Sequence, residues 1–251
     1  AIIRAKPNAT NAPILDFIAC NHMTVRDLEI DGDKEYQTGR FIRGLRWRAS
    51  TAASGGVLCE HGTFERLYIH DVTESGLVIA GGRWAKISKV HTERCGSTGN
   101  IGAGIHISND FPDISLLSYD VQISDCSDDG SGLDEGDEGA GLQMQVGTSR
   151  ITVTNYISRN AKKYGVKCQA HKVELNNIQV YEPGVAGIAL QYNDVRASNL
   201  RIEKTTAGSA GAIGIGAPQQ DTDPRDISMD LSNIHIVGQG FYTGLEISGT
   251  K

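Results

Sequence analysis

Three copies of one short pattern, spaced 22 residues apart, decide the fold of this chain. They read Val153-Thr154-Asn155-Tyr156, Leu175-Asn176-Asn177-Ile178 and Ala197-Ser198-Asn199-Leu200. In each copy, apolar and polar residues alternate as in a half-buried strand, and an asparagine then interrupts the strand. Asn and Asp tolerate left-handed backbone geometry and can bond to neighbouring backbone groups. Each copy therefore predicts a strand that turns a tight corner.

The same pattern recurs elsewhere at less regular spacing. The further copies are Val25-Arg26-Asp27-Leu28, Ile69-His70-Asp71-Val72, Ile123-Ser124-Asp125-Cys126 and Leu231-Ser232-Asn233-Ile234, with lysine at the corner in Ile87-Ser88-Lys89-Val90. The step between corner residues grows to 30, 34, 36 or 44 residues and once shrinks to 18. A 22-residue coil that carries one loop of variable length explains these steps. Stacked corners predict an amide ladder that satisfies the polar groups of a buried bend.

A second pattern, glycine followed by an apolar-any-apolar strand, comes after each corner and its loop. The copies begin with Gly56-Val57-Leu58-Cys59 and continue as Gly76-Leu77-Val78-Ile79, Gly104-Ile105-His106-Ile107, Gly141-Leu142-Gln143-Met144, Gly165-Val166-Lys167-Cys168, Gly187-Ile188-Ala189-Leu190, the looser Ala212-Ile213-Gly214-Ile215 and Gly244-Leu245-Glu246-Ile247. The two patterns together predict about nine coils in a single domain over residues 1–251. Both ends look cut from a longer coil, so we expect the domain to be truncated at one or both ends.

Together, these patterns resemble the pectate-lyase-like superfamily over about residues 14–248. The resemblance implies an all-β fold, the right-handed parallel β-helix, which most often handles polysaccharides. It also implies that the active site lies on the sheet formed by the glycine-led strands and on its flanking loops. A β-sandwich or a propeller is the main alternative. The lack of regular hairpin signals such as Asn-Gly weighs against both.

Composition narrows the classes of partner. The chain is 39% hydrophobic and 22% charged, with 30 glycines, as expected for an all-β domain with many tight bends. A net charge of −6 weighs against nucleic-acid binding, which needs clustered Lys and Arg. No stretch approaches the ~20 apolar residues of a membrane span, so we expect no membrane insertion. Five cysteines without a CxxC pair predict buried free thiols rather than a zinc site.

Alternation predicts which residues the glycine-led strands present to solvent. The first outward row is Leu58, Val78, His106, Gln143, Lys167, Ala189, Gly214 and Glu246, and the second is Glu60, Ala80, Ser108, Gln145, Gln169, Gln191, Gly216 and Ser248. Just past these strands come Asp110, His171 and Asp194. Long polar side chains on a flat sheet suit a sugar, because hydroxyls need both donors and acceptors. The simpler alternative is that any solvated sheet face is polar somewhere.

Two chemistries fit this face. In β-elimination on a uronic acid, Lys167 or His106 would take the C5 proton, the other would protonate the leaving oxygen, and Gln143 would hold the carboxylate. Hydrolysis needs two carboxyl groups, for which Asp110, Asp194 and Glu60 are candidates. The predicted substrate-binding residues are Glu60, Ser108, Gln143, Gln145, Gln169, His171 and Gln191. We favour a polysaccharide lyase slightly over a glycoside hydrolase. A C5-epimerase is less favoured, because the Asp-Pro-His motif of related β-helices is absent.

An acidic segment from Asp128 to Gly139 stands out in composition. Asp128, Asp129 and Asp134 are candidate ligands for Ca²⁺, which binds oxygen-rich loops. The segment matches neither the EF-hand spacing nor the nonapeptide calcium repeat, and a solvated charge run is the simpler explanation.

Two functions remain open. The first is an enzyme that cleaves an extracellular, uronic-acid-containing polysaccharide by β-elimination or hydrolysis. The second is a non-catalytic glycan-binding, phage tailspike or adhesin module, for which a homotrimer would be a natural assembly. Both place the protein outside the cell or on a virion surface.

Overall fold

The computed structural model shows a stack of short parallel strands. It describes residues 1–9, 12–37, 42–50, 56–96, 102–109, 117–132, 139–191, 194–206, 210–216, 228–238 and 241–248. In chain order the strands are β1 (Ile2–Arg4), β2 (Leu15–Ile18), β3 (Thr24–Asp31), β4 (Leu45–Arg48), β5 (Cys59–Glu60), β6 (Thr63–His70), β7 (Leu77–Ala80), β8 (Gly82–Arg83), β9 (Lys86–Glu93), β10 (Ala103–Ser108), β11 (Tyr119–Asp129), β12 (Ala140–Met144), β13 (Ser149–Arg159), β14 (Tyr164–Cys168), β15 (His171–Tyr181), β16 (Ala186–Leu190), β17 (Val195–Lys204), β18 (Ala210–Gly216), β19 (Met229–Gly238) and β20 (Phe241–Ser248). A 3-10 turn spans Lys34–Tyr36.

These strands form two sheets within the described ranges. The nine-stranded sheet has the order β2-β4-β7-β10-β12-β14-β16-β18-β20, and the main path of the eleven-stranded sheet is β1-β3-β6-β9-β11-β13-β15-β17-β19, with β5 and β8 beside it. Neighbouring strands pair in parallel, for example β13 with β15 and β12 with β14. Strand order follows chain order in both sheets, so each coil lies on the one before it. The predicted parallel β-helix is therefore confirmed.

The predicted corners lie in the middle of the long strands of the eleven-stranded sheet. Asn155, Asn177 and Asn199 have φ angles of 56°, 55° and 55°, in the left-handed region. The Asn155 amide donates to Asp125 Oδ1 at 2.8 Å, and the Asn177 amide donates to Asn155 Oδ1 at 2.8 Å. The amide ladder is thus confirmed from Asp125 to Asn177, whereas the Asn199 amide donates to Asn176 Oδ1 at 2.8 Å instead of to Asn177. Its predicted burial is wrong, because these amides lie on the exposed outside of the bend, where water can also reach them.

The corner predicted at Asp71 lies at Arg66 in the structure. The register of β3 with β6 and of β6 with β9 places Arg66, with a φ of 53°, between Asp27 and Lys89. Arg66 donates to both oxygens of Asp27, at 2.5 and 2.9 Å, in place of an amide contact. Asp71 lies at a later corner, after the end of β6. The apparent 18-residue step therefore disappears, since Arg66 is 23 residues before Lys89.

Glycines at the start of several strands of the nine-stranded sheet are required by close stacking of the coils. A Cβ built on Gly76 would lie 2.7 Å from the carbonyl oxygen of Gly104, and one on Gly104 would lie 2.7 Å from that of Gly141. A Cβ on Gly141 would lie 2.9 Å from the carbonyl oxygen of Gly165. These glycines form a column in which each coil rests on the backbone of the next.

Aliphatic rows fill the interior between the two sheets. Each inward residue of one strand stacks on its partner in the next coil, as with Ile151, Val173 and Val195, each about 1% exposed. Trp47 is fully buried against Phe64, with ring centroids 5.6 Å apart. Four of the five cysteines are buried free thiols, as predicted, and Cys20 is half-buried. No helix among the described residues is long and apolar enough to cross a membrane.

Candidate functional site

The predicted polar row lies in register on the outer face of the nine-stranded sheet. His106 of β10 pairs with Gln143 of β12, and Gln143 pairs with Lys167 of β14. Val78 and Ala189 flank these three residues, as predicted. At a strand spacing of about 4.8 Å, the Cα atoms of His106 and Lys167 are about 10 Å apart. The amide of Gln143 lies between them.

The beginning of this row differs from the prediction. The strand in this sheet before β7 is β4, which places Arg46 next to Val78 and Asp16 next to Arg46. Leu58 precedes β5, and Glu60 lies in β5, which pairs with β8 in the other sheet. Glu60 therefore lies off the candidate face. The segment Gly44-Leu45-Arg46-Trp47 fits the glycine-led pattern and was the signal that could have found the correct strand.

The row is buried, although alternation predicted an exposed face. His106 is 6% exposed, Gln143 is 1% exposed and Lys167 is 5% exposed. Long side chains that stack at the strand spacing cover one another, and strand periodicity does not report this shielding. The Lys167 ammonium lies 5.5 Å from the centroid of the Tyr164 ring. The predicted exposure is wrong, whereas the predicted register is right.

Several polar atoms of this row lack a hydrogen-bond partner. Both side-chain polar atoms of Gln143 and the Nε2 atom of His106 are buried and unpaired within the described part of the chain. An unpaired buried polar group costs about 1–3 kcal/mol, so native proteins rarely keep one without a reason. Two such residues lie side by side on one face, and a ligand could pair with them once the groups that cover them move aside.

Burial lowers the pKa of His106 to about 4. The nearby charges of Arg43 and Lys167 act in the same direction, whereas a hydrogen bond with the Gln145 side chain opposes them. His106 is therefore neutral at physiological pH, with an unpaired Nε2 atom. A neutral imidazole in this state can accept a proton.

Charged residues that sequence reasoning missed flank the row. Arg46 donates to Asp16 at 2.7 and 3.0 Å. Arg43 Nε donates to Glu74 Oε1 at 2.7 Å, and burial raises the pKa of Glu74 despite this ion pair. The remaining carboxylate oxygen of Glu74 is buried and unpaired.

The second predicted row follows the first. Backbone bonds from Gln145 to Ile107, from Gln169 to Met144 and from Gln191 to Cys168 continue the register past the ends of the strands. Ser108 is 5% exposed, and the three glutamines are half-buried. These four residues therefore lie beside His106, Gln143 and Lys167, as predicted. Their role in binding stays a prediction.

Two of the residues expected just past the strands lie elsewhere. His171 begins β15 and pairs with Ser149, so it belongs to the eleven-stranded sheet. Asp194 is an exposed corner residue with a φ of 59°, and it faces a cleft on that same sheet. His171 follows β14 and Asp194 follows β16, and in each of these successive coils the turn between the two sheets carries the side chain off the candidate face. Asp110 lies outside the described residues.

The structure does not bring the proposed calcium ligands together. Asp128 and Asp129 are consecutive residues of β11, so their side chains point to opposite faces. Asp128 is fully buried and accepts hydrogen bonds from Thr92 Oγ1 at 2.7 Å and from the Ser131 amide at 3.4 Å. Asp129 lies outside and accepts from Asn160 at 2.8 Å. Asp134 lies outside the described residues.

A different cluster, Asp31, His70 and Asp71, has ligand atoms within 4.8 Å of one another. Its carboxylates are already engaged, because Arg4 bonds to Asp31 and Arg94 bonds to both oxygens of Asp71. A metal ion would have to displace these arginines. We therefore assign the cluster to the stability of the corner.

Comparison with solved structures identifies the fold. The chain aligns over its whole length with 81% of the mannuronan C-5 epimerase AlgE4 A-module of Azotobacter vinelandii, at 14% identity and a TM-score of 0.50. It also aligns over 99% of its length with 98% of an alginate lyase from Paenibacillus, at 10% identity and a TM-score of 0.51. A catalytic domain of a GH87 α-1,3-glucanase matches over 98% of this chain and 54% of its own length, at 12% identity and a TM-score of 0.54.

Sequence comparison adds no closer relative. No family model matches the chain. No curated protein matches it either. The all-parallel sheets and these structural neighbours place the chain in the fold of the pectate-lyase-like superfamily, the right-handed parallel β-helix.

Proposed function

We propose that this protein is a carbohydrate-active enzyme that cleaves a uronic-acid-containing polysaccharide by β-elimination. The observation that carries the proposal is the pair of buried, unpaired polar groups, the Gln143 amide and His106 Nε2, on one face beside Lys167. The names of the structural neighbours, an epimerase, a glucanase and an alginate lyase, support a polysaccharide as the class of substrate.

Each residue has one role in the proposed reaction. His106 Nε2 takes the C5 proton of the uronate, because its lowered pKa keeps the ring neutral. The electrons of the broken C–H bond form the C4–C5 double bond, and the bond from C4 to the leaving oxygen breaks. The Lys167 ammonium gives that oxygen a proton. The Gln143 amide donates to the substrate carboxylate and so stabilises the charge that develops on it.

The charge of the face supports an acidic substrate. Among the residues that the structure describes on this face, four cationic side chains, Arg43, Arg46, Arg48 and Lys167, accompany two carboxylates, Asp16 and Glu74. The resulting excess of positive charge attracts a polyanion, although the whole chain carries a net charge of −6. An extracellular or virion-surface location follows as part of the proposal, because such polymers are met there.

The test is product formation from a panel of acidic and neutral polysaccharides. Reducing ends and the ultraviolet absorbance of unsaturated products are measured together. His106→Ala and Lys167→Met should each lower the rate by about 10²–10⁴-fold, the usual contribution of a general acid or base. His235→Ala and Lys89→Met, both at exposed positions, are matched controls and should leave the rate unchanged.

Three other outcomes would overturn the mechanism. Reducing ends without absorbance would indicate hydrolysis and would direct attention to the buried carboxyl of Glu74. Full activity in both site variants would remove His106 and Lys167 from the chemistry. Release from no polymer, together with retained binding, would favour a non-catalytic glycan-binding or spike module.

A further inference from the structure

An open cleft lies on the eleven-stranded sheet, away from the candidate active site. Its volume is about 800 Å³. Its floor is one register row across six strands, with every residue exposed to solvent: Lys86, Gln122, Thr152, Glu174, Arg196 and Asp230. Five strand steps of about 4.8 Å give this row a length of about 24 Å. The cleft is therefore long and narrow, as suits a chain-like ligand rather than a single small molecule.

The side wall of the cleft consists of corner residues at the beginning of the floor strands or directly before it. Trp84, Asp120, Arg150, Lys172 and Asp194 all have a positive φ and line the cleft. Arg150 donates to both oxygens of Asp120, at 2.6 and 2.8 Å, and its guanidinium lies 4.5 Å from the centroid of the Tyr119 ring. This part of the wall is held in place before any ligand binds.

Trp84 gives the cleft an apolar platform. Its side chain is 43% exposed, although the indole is among the most apolar groups of the chain. His61 stacks on it at 4.7 Å, and His22 stacks on His61 at 4.7 Å, so the indole is fixed in orientation. An exposed, immobilised aromatic ring offers a flat surface to the apolar face of a sugar ring at little cost in side-chain entropy.

The floor retains its hydrogen-bonding capacity. Among the residues that the structure describes, the side chains of Lys86, Glu174, Arg196 and Asp230 take part in no hydrogen bond or ion pair with one another or with their neighbours. Donors and acceptors thus alternate along an open row. Sugar hydroxyls both donate and accept, so they match such an alternation.

The net charge of this cleft differs from the net charge of the candidate active site. Among the described residues that line the cleft, four cations, Lys86, Arg150, Lys172 and Arg196, match four carboxylates, Asp120, Glu174, Asp194 and Asp230. A cleft without net charge gives no electrostatic advantage to a polyanion. From the row, the platform and this balance, we propose that the cleft binds a neutral oligosaccharide or a neutral stretch of polysaccharide. The proposal does not depend on the catalytic assignment of His106 and Lys167.

The test is calorimetric titration of the whole protein with soluble neutral oligosaccharides of several sugar types, and with an oligouronate for comparison. At least one neutral oligosaccharide should bind, with an affinity that changes little with salt. Trp84→Ala and the double variant Glu174→Ala/Arg196→Ala should each weaken binding at least about tenfold. The matched control is Arg201→Ala/Glu203→Ala, which removes a pair from β17 outside the cleft.

Activity assays distinguish this proposal from the proposed function. Trp84→Ala should keep the rate of cleavage, and His106→Ala should keep the binding of the neutral oligosaccharide. Failure of every neutral sugar to bind, equal affinity in the cleft variants and the control, or salt-sensitive binding of the oligouronate alone at this cleft would each overturn the proposal.

Discussion

At the scale of the residue, the Asp128 carboxyl is the clearest conflict between a charge and its surroundings. Burial raises its pKa from the ordinary value of 3.8 to about 7, against the hydrogen bonds from Ser131 and Thr92, which lower it. The folded state therefore holds a proton at Asp128 between about pH 4 and about pH 7, where the unfolded chain has lost it. The contribution of Asp128 to stability is present below about pH 4 and is lost as the pH rises to about 7.

We expect Asp128→Asn to remove the loss of folding stability that occurs as the pH rises to about 7. The amide is neutral and similar in shape, so the variant should be more stable than the parent above about pH 7 and close to it near pH 4. Urea denaturation at the two pH values measures the difference. Asp129→Asn is the control, because that side chain lies outside the stack. A pH-independent difference between Asp128→Asn and the parent would contradict the assignment.

A second prediction at this scale concerns His106 and the pH dependence of the activity. If it acts as the base, kcat/KM should fall only below about pH 4, where the ring becomes charged. Removing a nearby positive charge in Lys167→Met should raise the pKa of His106 and move this acid limb to higher pH in the residual activity. Circular dichroism at each pH separates the limb from unfolding. An acid limb near the ordinary histidine value in the parent would exclude His106 as the base.

The sequence predicted which site residues are neighbours, because period-2 alternation and the leading glycines fix register. It did not predict that His106, Gln143 and Lys167 are buried, because strand periodicity does not report how stacked side chains on neighbouring strands shield one another. It also misplaced Asp194 and His171, since a turn between two sheets can carry neighbouring residues to different faces. The unpaired atoms of Gln143 became visible only in three dimensions.

At the scale of the element, the corner and the glycine column define each coil. Asn177 combines both demands of a corner, a left-handed backbone and a stacked amide that donates to Asn155. Asn177→Ala should cost about 1–2 kcal/mol for the left-handed conformation and about 1 kcal/mol for the lost hydrogen bond. Asn177→Gly keeps the conformation and should cost clearly less. Urea denaturation of both variants measures the cost of the left-handed conformation and the cost of the lost hydrogen bond. Equal losses of stability in the two variants would contradict a separate conformational cost.

In the glycine column, a substitution is limited by the space for a Cβ atom. At a corner, it is limited by the backbone conformation. A Cβ on Gly76 would lie 2.7 Å from the Gly104 carbonyl oxygen and 3.0 Å from Cys95 Sγ. Gly76→Ala should therefore force the coils apart and destabilise the fold by about 1–3 kcal/mol. Thermal unfolding followed by circular dichroism provides the measurement. An unchanged melting temperature would mean that adjacent coils can separate freely at this point.

One corner and one strand were not predicted from the sequence patterns. The pattern predicts a corner only at Asn or Asp, so it points to Asp71 and not to Arg66. Nothing in the local sequence marks an arginine that replaces the amide by a bidentate contact with Asp27. The glycine-led pattern also fits Gly44 and the strand Leu45–Arg48. The prediction instead begins the series at Gly56 and therefore omits this strand.

At the scale of the whole molecule, each coil contacts mainly its two neighbours. Stability in such a stack is approximately a sum of coil and interface contributions. Leu175→Ala removes a side chain that is 1% exposed in β15 and should cost about 2–5 kcal/mol. Native-state hydrogen exchange should then show lost protection in β13, β15 and β17, with β3 and β6 little affected. Uniform loss along the chain would instead indicate one cooperative unit.

The parallel ladders also decide how the molecule responds to force. Backbone hydrogen bonds and the Asn155–Asn177 amide contact run along the axis of the stack, across every boundary between coils. Tension along this axis loads the boundaries one after another, so coils should peel away singly at low force. Tension along a strand loads all the bonds of one boundary together and meets far more resistance. A polymer bound along the register row of the cleft would run parallel to this axis, so tension on the polymer would load the protein in its mechanically weak direction.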